Sequence, residues 1–430
     1  GRQILLDGVI PHRMVVTSSH FHRAAAGIEP QRGVRVHVAG IDLVRGADGR
    51  YYVLEDNLRC PSGVSYVVEN RRAMTRVFPD LFQTHRVRSV AEYPLRLLQA
   101  LRATAPPSSR NDPNVVVLTP GVYNSAYFEH SFLARQMGVP LVEGRDLIVR
   151  DQSVFMRTTD GEQRVDVVYR RIDDDFLDPV HFRPDSLVGC PGILDAARAG
   201  TVTIANMVGN GVADDKAIYC FVPAMIEYYL GEQAILENVR TYRLEDPDVL
   251  AHALSRVDQL VWKPVDGSGG YGIVIGPKAS ARDLDTLRAR VSTDPRGWIA
   301  QEPVALSTAP TYVDGTLGPR HVDLRPFAVN DGESVWVVPG GLTRVALPEG
   351  SLIVNSSQGG GSKDTWVLAS DDNAGLVPGD QGVTDDETPL RAPLERRAPS
   401  RGPFVAPLDQ QQQQQQQQQG CDDIEGPTPC

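Results

Sequence analysis

The sequence predicts a mixed fold of the α/β and α+β classes, and three stretches carry that prediction. Residues 114–142 are spaced as a strand, a helix and a second strand, which indicates a parallel βαβ unit. Residues 321–346 contain short alternating strands joined by turns, which is typical of an antiparallel meander. Residues 261–275 place two short apolar runs on either side of clustered glycines. The chain should therefore contain both parallel and antiparallel sheets.

Length and composition limit the classes of function. With 430 residues, the chain is long enough for two or three domains. Its net charge of −11 argues against general nucleic-acid binding, and no apolar run reaches the length of a membrane span. The five cysteines form no CxxC pair and no metal-ligand spacing, which indicates a reducing compartment. We therefore expect a cytoplasmic protein with no nucleic-acid or membrane partner.

The first informative motif is a hairpin near the N-terminus. Residues 40–44 and 51–57 predict two strands joined by an Asp-Gly turn. Glu55 and Asn57 lie two positions apart, so their side chains should point to one face, and Asp42 lies on the paired strand. Carboxylate and amide oxygens are hard ligands that suit Mg²⁺. The alternative is a polar, solvent-exposed face of an ordinary hairpin.

Helices and a linker separate this hairpin from the βαβ unit. The sequence predicts a helix over residues 66–78 and an amphipathic helix over residues 89–104, with Leu95, Leu98 and Leu101 on its apolar stripe. The Pro- and Ser-rich residues 106–113 predict a linker and a domain boundary.

Two charged clusters follow the predicted βαβ unit. Arg170 and Arg171 end a predicted strand and are followed by three aspartates, which suits either a pocket for a substrate carboxylate or a salt-bridged loop. We expect the pocket. Further on, Asp214 and Asp215 open a helix, where acidic residues suit the helix dipole, but the dipole does not explain Lys216.

The glycine-rich stretch predicts a strand, a turn and a second strand, with Lys263 at the end of the first strand. Clustered glycines allow backbone N–H groups to close on an anion, and the lysine adds a positive charge beside them. In the common phosphate loop and in the dinucleotide-binding fingerprint, the glycines lead into a helix instead. The stretch is therefore either a surface hairpin or a flap over nucleotide phosphates.

The rest of the chain contains the meander and a polar tail. Outward side chains of the meander and of the loop after it include Asp323, Arg325, Arg344 and Asn355. From about residue 369 apolar clusters disappear, and residues 410–419 are all glutamine. Such a segment cannot bury a core, so we expect a disordered tail over residues 369–430.

Taken together, these motifs resemble the ATP-grasp enzymes. The stretch from Lys263 to Gly272 resembles the loop that covers the phosphates in that family. The meander with Arg325, Arg344 and Asn355 resembles a glutathione synthetase-like ATP-grasp site, although Ile353 stands where that pattern has an arginine. Asp42 with Glu55 and Asn57 is similar to the family's Mg²⁺ ligand set.

The order of the motifs narrows the resemblance. In ordinary members the Mg²⁺-binding element comes after the meander, whereas here it comes before the βαβ unit. This order resembles the circularly permuted ATP-grasp proteins of bacteria, and the resemblance covers residues 1–368. It implies a permuted Mg²⁺-binding part (1–105), a pre-ATP-grasp α/β domain (113–205), a lid subdomain with the flap (206–290) and a core meander (291–368).

The resemblance also implies roles for individual residues. Arg325 and Arg344 would contact the transferred phosphate, and Asp42, Glu55 and Asn57 would hold Mg²⁺. The residues implied to bind ATP are Lys216, Lys263, Gly267, Ser268, Gly269, Gly270, Gln301, Glu302 and Asn355.

The implied activity is ATP-dependent ligation of a carboxylate to an amine through an acyl-phosphate, as in amide or peptide bond formation. Two alternatives stay open: a phosphotransferase that uses the same site, and a non-catalytic nucleotide-binding partner protein.

Overall fold

The computed structural model of the chain describes residues 3–267, 272–351, 354 and 360–369. The predicted tail beyond residue 369 lies outside the described residues, and so do Ser268, Gly269, Gly270, Ile353 and Asn355. No helix in the described ranges is both long enough and apolar enough to cross a membrane.

The chain begins with two short helices followed by the predicted hairpin. Its elements are α1 (Gln3–Leu6), α2 (His12–Val16), β1 (Val38–Arg45) and β2 (Tyr51–Asn57). In the antiparallel β1–β2 pair, Asp42 lies opposite Glu55, and Gly40 lies opposite Asn57. The prediction that Asp42, Glu55 and Asn57 share one face of the hairpin is therefore confirmed.

Three helices follow the hairpin: α3 (Val64–Val77), α4 (Pro79–His85) and α5 (Tyr93–Ala103). Both predicted helices are present, but the apolar stripe of α5 was assigned incorrectly. Leu95 is 56% exposed, and the buried face instead runs through Tyr93, Leu97 and Leu101. Leu95 lies two positions after Tyr93, which is about 200° around an α-helix, so it faces solvent when Tyr93 faces the core.

The next part is an α/β unit with a small antiparallel sheet beside it. Its elements are β3 (Val115–Leu118), α6 (Tyr127–Met137), β4 (Leu141–Val142), β5 (Leu147–Arg150), β6 (Ser153–Thr158), β7 (Gly161–Val165), β8 (Val167–Arg170), α7 (Asp174–Leu177), α8 (Ile193–Arg198) and β9 (Thr203–Ala205). Strands β4, β3, β8 and β9 form a parallel sheet in that order, which confirms the predicted βαβ unit. Strands β5, β6 and β7 form the antiparallel sheet.

The following part contains the glycine-rich hairpin. Its elements are α9 (Gly211–Asp214), α10 (Lys216–Tyr219), α11 (Val222–Leu230), β10 (Glu237–Asn238), β11 (Thr241–Arg243), α12 (Pro247–Ser255), β12 (Val261–Pro264), β13 (Val274–Ile275), α13 (Ala281–Thr293) and β14 (Trp298–Gln301). Strands β11, β14, β12 and β13 form an antiparallel sheet in that order. The predicted strand–turn–strand is confirmed on both sides of the undescribed glycines, because Val261 pairs with Ile275 and Trp262 with Val274.

The last strands form the meander: β15 (Thr308–Val313), β16 (Thr316–Arg325), β17 (Phe327–Asn330), β18 (Val335–Val337), β19 (Leu342–Val345) and β20 (Gly361–Asp364). Single turns of 3-10 helix occur at Arg23–Ala25, Gln31–Gly33, Gly144–Asp146, Gly276–Lys278 and Pro295–Gly297. Strand β1 pairs with both β16 and β17, so the N-terminal hairpin lies inside the sheet that the C-terminal strands build. The path through this sheet is β10-β2-β1-β16-β19-β20.

Separate apolar clusters hold these parts together. One cluster packs Val67 and Leu97 from the helices after the hairpin against Val117 of the parallel sheet and Phe327 of the meander. A second cluster fills the sheet that contains β12, around Trp262. A third cluster packs α1 and α2 against α10 and against Val265 and Ile299. The N-terminal helices therefore pack against α10, the helix that contains Lys216.

Candidate functional site

The candidate site lies on one face of the large mixed sheet. Asp42 on β1 and Glu55 on β2 are cross-strand neighbours. Asp323 on β16 and Arg344 on β19 are also directly opposite one another. Because residues two apart on a strand share a face, Arg325 lies on the same side as Asp323. Residues from both ends of the described chain therefore meet here.

Asp42 and the two arginines form a buried ionic cluster. Arg325 donates from Nε to Asp42 Oδ1 and from Nη2 to Asp42 Oδ2, the latter at 2.8 Å. Arg344 Nη2 donates to Asp42 Oδ2 at 2.7 Å, and Arg344 Nε donates to Asp323 Oδ1 at 2.8 Å. Burial alone would raise the pKa of the Asp42 carboxyl, but the two arginine charges outweigh it and hold that pKa well below its usual range.

This cluster affects how Asp42 could bind a metal ion. Both Asp42 oxygens already accept hydrogen bonds from guanidinium groups. Three guanidinium N–H groups occupy most of the acceptor capacity of this carboxylate, so Asp42 has little left to offer a metal ion while both arginines are in place. Within the described ranges, no group of three or more His, Cys, Asp and Glu side chains is placed to hold a metal ion.

Glu55 and Asn57 fit a metal site better. The Glu55 carboxylate lies 3.6 Å from Lys216 Nζ and is 27% exposed. The Asn57 Nδ2 atom is buried, and the described residues give it no hydrogen-bond partner, as is unusual for a buried polar atom. Mg²⁺ is usually bound by one or two protein carboxylates together with substrate phosphates. Glu55 with Asn57 matches that donor set.

Two lysines bring positive charge to the same place. Lys263 on β12 is only 6% exposed, and burial lowers its pKa to about 8, although the nearby Glu55 charge acts in the opposite direction. Lys216 opens α10 and donates from Nζ to the carbonyl oxygen of Gly267, which is the last described residue before the undescribed glycines. Both predicted phosphate-binding lysines therefore lie near Glu55.

Gln301 and Glu302 already have protein partners. Gln301 Nε2 donates to Thr241 Oγ1 at 2.9 Å. The Glu302 carboxylate accepts from Arg256 at 2.7 and 3.0 Å and from the Tyr242 hydroxyl at 2.6 Å. A contact of either side chain with adenine or ribose would require an exchange of partners, and the predicted nucleotide contact stays a prediction.

The prediction of a pocket for a substrate carboxylate at Arg170 and Arg171 is wrong. Arg170 is fully buried and pairs with Asp174 at 2.6 Å, while Arg171 pairs with the buried Glu129 at 3.2 Å. Arg170 also donates to backbone carbonyl oxygens, including that of Asn206 at 2.8 Å. These arginines hold the interior of the α/β unit together. The salt-bridged alternative is correct about the ion pairs, but both arginines are buried and do not lie on a solvated loop.

Sequence reasoning named Asp323 and Asp215 but gave neither a role in the site, and it did not single out Arg296. Asp323 orients Arg344, and its alternation with Arg325 along β16 was a signal that could have identified it. Asp215 caps α10 by accepting from the N–H of Ala217 at 2.9 Å, and it pairs with Arg296 at 2.7 Å. The 81 residues that separate Asp215 from Arg296 left no local pattern for the sequence analysis to detect.

Two sheets that direct lysines, arginines and carboxylates toward one another are typical of an ATP-grasp enzyme. The chain belongs to the circularly permuted ATP-grasp type 2 family, whose model matches residues 1–346. This match confirms the predicted fold and, at the level of class, the prediction of an ATP-grasp ligase enzyme. ATP and Mg²⁺ are the cofactors typical of that class.

Individual relatives agree with this assignment. The chain is 64% identical over 368 residues to an uncharacterised protein of Mycobacterium tuberculosis (strain ATCC 25618 / H37Rv). The matched segment covers 86% of this chain and 67% of the relative. It is 50% identical over 367 residues to a Frankia alni protein provisionally named glutamate–cysteine ligase 2-3, covering 85% of this chain but only 42% of the relative.

A solved structure is a more distant match. It is a provisionally named gamma-glutamylcysteine synthetase of Methylobacillus flagellatus, with 14% identity and a TM-score of 0.38 over 83% of this chain and 84% of the other.

Proposed function

We propose that the chain is an ATP-dependent carboxylate–amine ligase. In the first step a carboxylate oxygen of the substrate attacks the γ-phosphorus of ATP, which forms an acyl-phosphate and releases ADP. In the second step an amine nitrogen attacks the acyl carbon, loses a proton and displaces inorganic phosphate. The product is an amide or a peptide bond.

The convergence of Lys216, Lys263, Arg325 and Arg344 around Glu55 carries this proposal. Phosphoryl transfer needs mainly the positioning of the reactants and the neutralisation of charge, and the four cations can supply both. Glu55 and Asn57 are the residues that would hold Mg²⁺, which supplies charge neutralisation on the phosphates when it is bound.

Each cation has a separate task in this scheme. Lys216 and Lys263 bind the phosphates from the side of the lid, and the burial of Lys263 strengthens its attraction for an anion. Arg325 and Arg344 face the transferred group from the sheet side, held in place by Asp42 and Asp323. We also propose the division into residues 1–105, 113–205, 206–290 and 291–368, with the lysines and arginines on opposite sides of the nucleotide.

The Frankia relative supports the class of reaction, because a glutamate–cysteine ligase joins a carboxylate to an amine. The chain covers less than half of that relative, so its substrates do not transfer to this protein. We infer only that a small-molecule or peptide carboxylate and a separate amine are the reactants.

The test is ADP release from the full chain, ATP and Mg²⁺ in the presence of amino-acid and peptide mixtures. The proposal predicts that ADP release requires both a carboxylate and an amine, and that mass spectrometry finds a product lighter than the two reactants by one water. A stable phosphorylated product without an amine requirement would indicate a phosphotransferase instead. Tight ATP binding with no turnover in any mixture would indicate a non-catalytic nucleotide-binding protein.

A further inference from the structure

Arg296 lies where three parts of the protein meet. It belongs to the single 3-10 turn that leads into β14, in the sheet formed by β11, β14, β12 and β13. Its Nη2 atom donates to Asp215 Oδ2 at 2.7 Å and to the backbone oxygen of Met14 on α2 at 2.9 Å. Its Nε atom is buried without a partner, so the guanidinium contacts this junction through its Nη atoms.

Asp215 connects Arg296 to the helix that begins with Lys216. Asp215 is fully buried and is the residue immediately before α10. Its Oδ1 atom accepts from the N–H of Ala217 at 2.9 Å, which fixes the first turn of the helix. Lys216 is the first residue of that turn, so Asp215 sets the direction in which its side chain leaves the helix.

The same junction also reaches the strand that contains Lys263. The N–H of Lys216 donates to the backbone oxygen of Val265 at 3.0 Å, and the N–H of Val265 donates to the oxygen of Gly297 at 3.0 Å. Val265 follows β12, and Gly297 follows Arg296 directly. Hydrogen bonds, together with short stretches of backbone, therefore connect Arg296 to both lysines.

We propose that Arg296 is a positioning residue for nucleotide binding, which acts through Asp215 to hold Lys216 at a set distance from Lys263. This inference rests on the proposed function, in which both lysines bind ATP phosphates. It adds a residue that contacts no phosphate itself and that ties the N-terminal helix α2 to the nucleotide site. Displacement of a catalytic group by a small distance is enough to weaken binding to a charged ligand.

The matched control is Arg164. Like Arg296, it is partly buried, pairs with a buried aspartate (Asp166 at 3.4 Å) and donates to a backbone oxygen, that of Thr201 at 3.3 Å. Its Nε atom is also buried without a hydrogen-bond partner. Arg164 lies on β7 in the α/β unit, away from both lysines. Arg164→Met therefore reproduces the general cost of losing a half-buried arginine.

The experiment measures ATP affinity of the full chain by calorimetry in the presence of Mg²⁺. We expect Arg296→Met to weaken ATP binding about tenfold, Arg296→Lys to restore most of that loss, and Arg164→Met to change little. In a Lys216→Met background, Arg296→Met should cause no additional loss, because the residue through which it acts is gone.

Each other result overturns a specific claim. An equal loss in the presence and absence of Lys216 would show that Arg296 does not act through Lys216, and an equal loss in Arg164→Met would show a general effect of destabilisation. If Lys216→Met weakens binding and Arg296→Met does not, only the positioning role fails. If Lys216→Met itself leaves ATP affinity unchanged, the phosphate role of Lys216 in the proposed function fails.

Asp215→Asn provides a second route if Arg296→Met does not fold. Asparagine keeps the acceptor that caps α10 but loses the charge that pairs with Arg296. We expect the same loss of ATP affinity, and unchanged affinity in a folded Asp215→Asn variant would overturn the proposal.

Discussion

Asp42 and Arg325, 283 residues apart in the chain, form a two-point ion pair across neighbouring strands of one sheet. The pair joins the N-terminal hairpin to the meander, and it lies at the centre of the candidate site. Because Asp42 is fully buried, loss of this ion pair should lower the stability of the fold as well as alter the site.

We expect Arg325→Met to lower the free energy of unfolding by about 3 kcal/mol, because it leaves a buried carboxylate with only Arg344 as a charged partner. Urea denaturation followed by circular dichroism measures this change. The control is Arg288→Met, which removes an arginine from the exposed pair with Asp285 and should have almost no effect. Equal losses in the two variants would contradict the importance of the buried pair.

His37 should make the protein sensitive to mild acid. Burial lowers the pKa of His37 from its ordinary value of 6.5 to about 4. Between those values the unfolded chain binds more protons than the folded one, so stability falls as the pH falls from 6.5 to 4.

We expect His37→Gln to flatten this dependence even if it lowers stability at neutral pH, since His37 contacts Thr104 at 2.9 Å. Urea unfolding at several pH values gives the slope, and the exposed His12→Gln variant serves as the control. An unchanged slope in His37→Gln would assign the acid sensitivity to other groups.

Lys263→Met should have opposite effects on binding and on stability. The variant loses the ammonium that attracts phosphates, so ATP affinity should fall at least tenfold by calorimetry. It also removes a buried charge, so thermal stability at pH 7 should increase. Unchanged ATP affinity would show that Lys263, and with it strand β12, does not contribute to the nucleotide site.

The pH dependence of the unmodified protein tests the same lysine. Burial lowers the pKa of Lys263 from its ordinary value of 10.5 to about 8, so ATP affinity should decline as the pH rises through 8. The unfolded chain binds more protons between those pH values, so the contribution of Lys263 to stability should rise with pH there. Lys263→Met should lose both dependences.

The combined variant Glu55→Gln with Asn57→Ala should lose Mg²⁺-dependent ATP turnover and keep its fold. Glu55 is partly exposed, and its charged partner Lys216 is 3.6 Å away, so the contribution of the pair to stability is small. ADP release and the far-ultraviolet circular dichroism spectrum measure the two properties. Full turnover in the variant would contradict the metal assignment, and Glu69→Gln, on the surface of α3, is a matched control that should stay active.

The sequence was informative where local chemistry decides the structure. Alternation of side chains placed Asp42, Glu55 and Asn57 on one face, and clustered glycines after Lys263 indicated a turn between two strands. The order of these motifs also identified the permuted family before any geometry was known. The hairpin face and the glycine-rich turn each depend on residues within about twenty positions of each other.

Contacts between distant residues were decided by tertiary structure. The sequence could not show that Arg170 and Arg171 point into the interior, because an exposed and a buried charged cluster look the same in one dimension. Nor could it show that Arg296 reaches Asp215, or that Asp42 shares its oxygens between two arginines. Local periodicity determined which elements form and that Glu55 and Asn57 share one face of the hairpin, although it misplaced Leu95 on α5. Only the packing of sheets against one another determined which charges meet, because burial and pairing depend on neighbours that the chain brings together from hundreds of residues away.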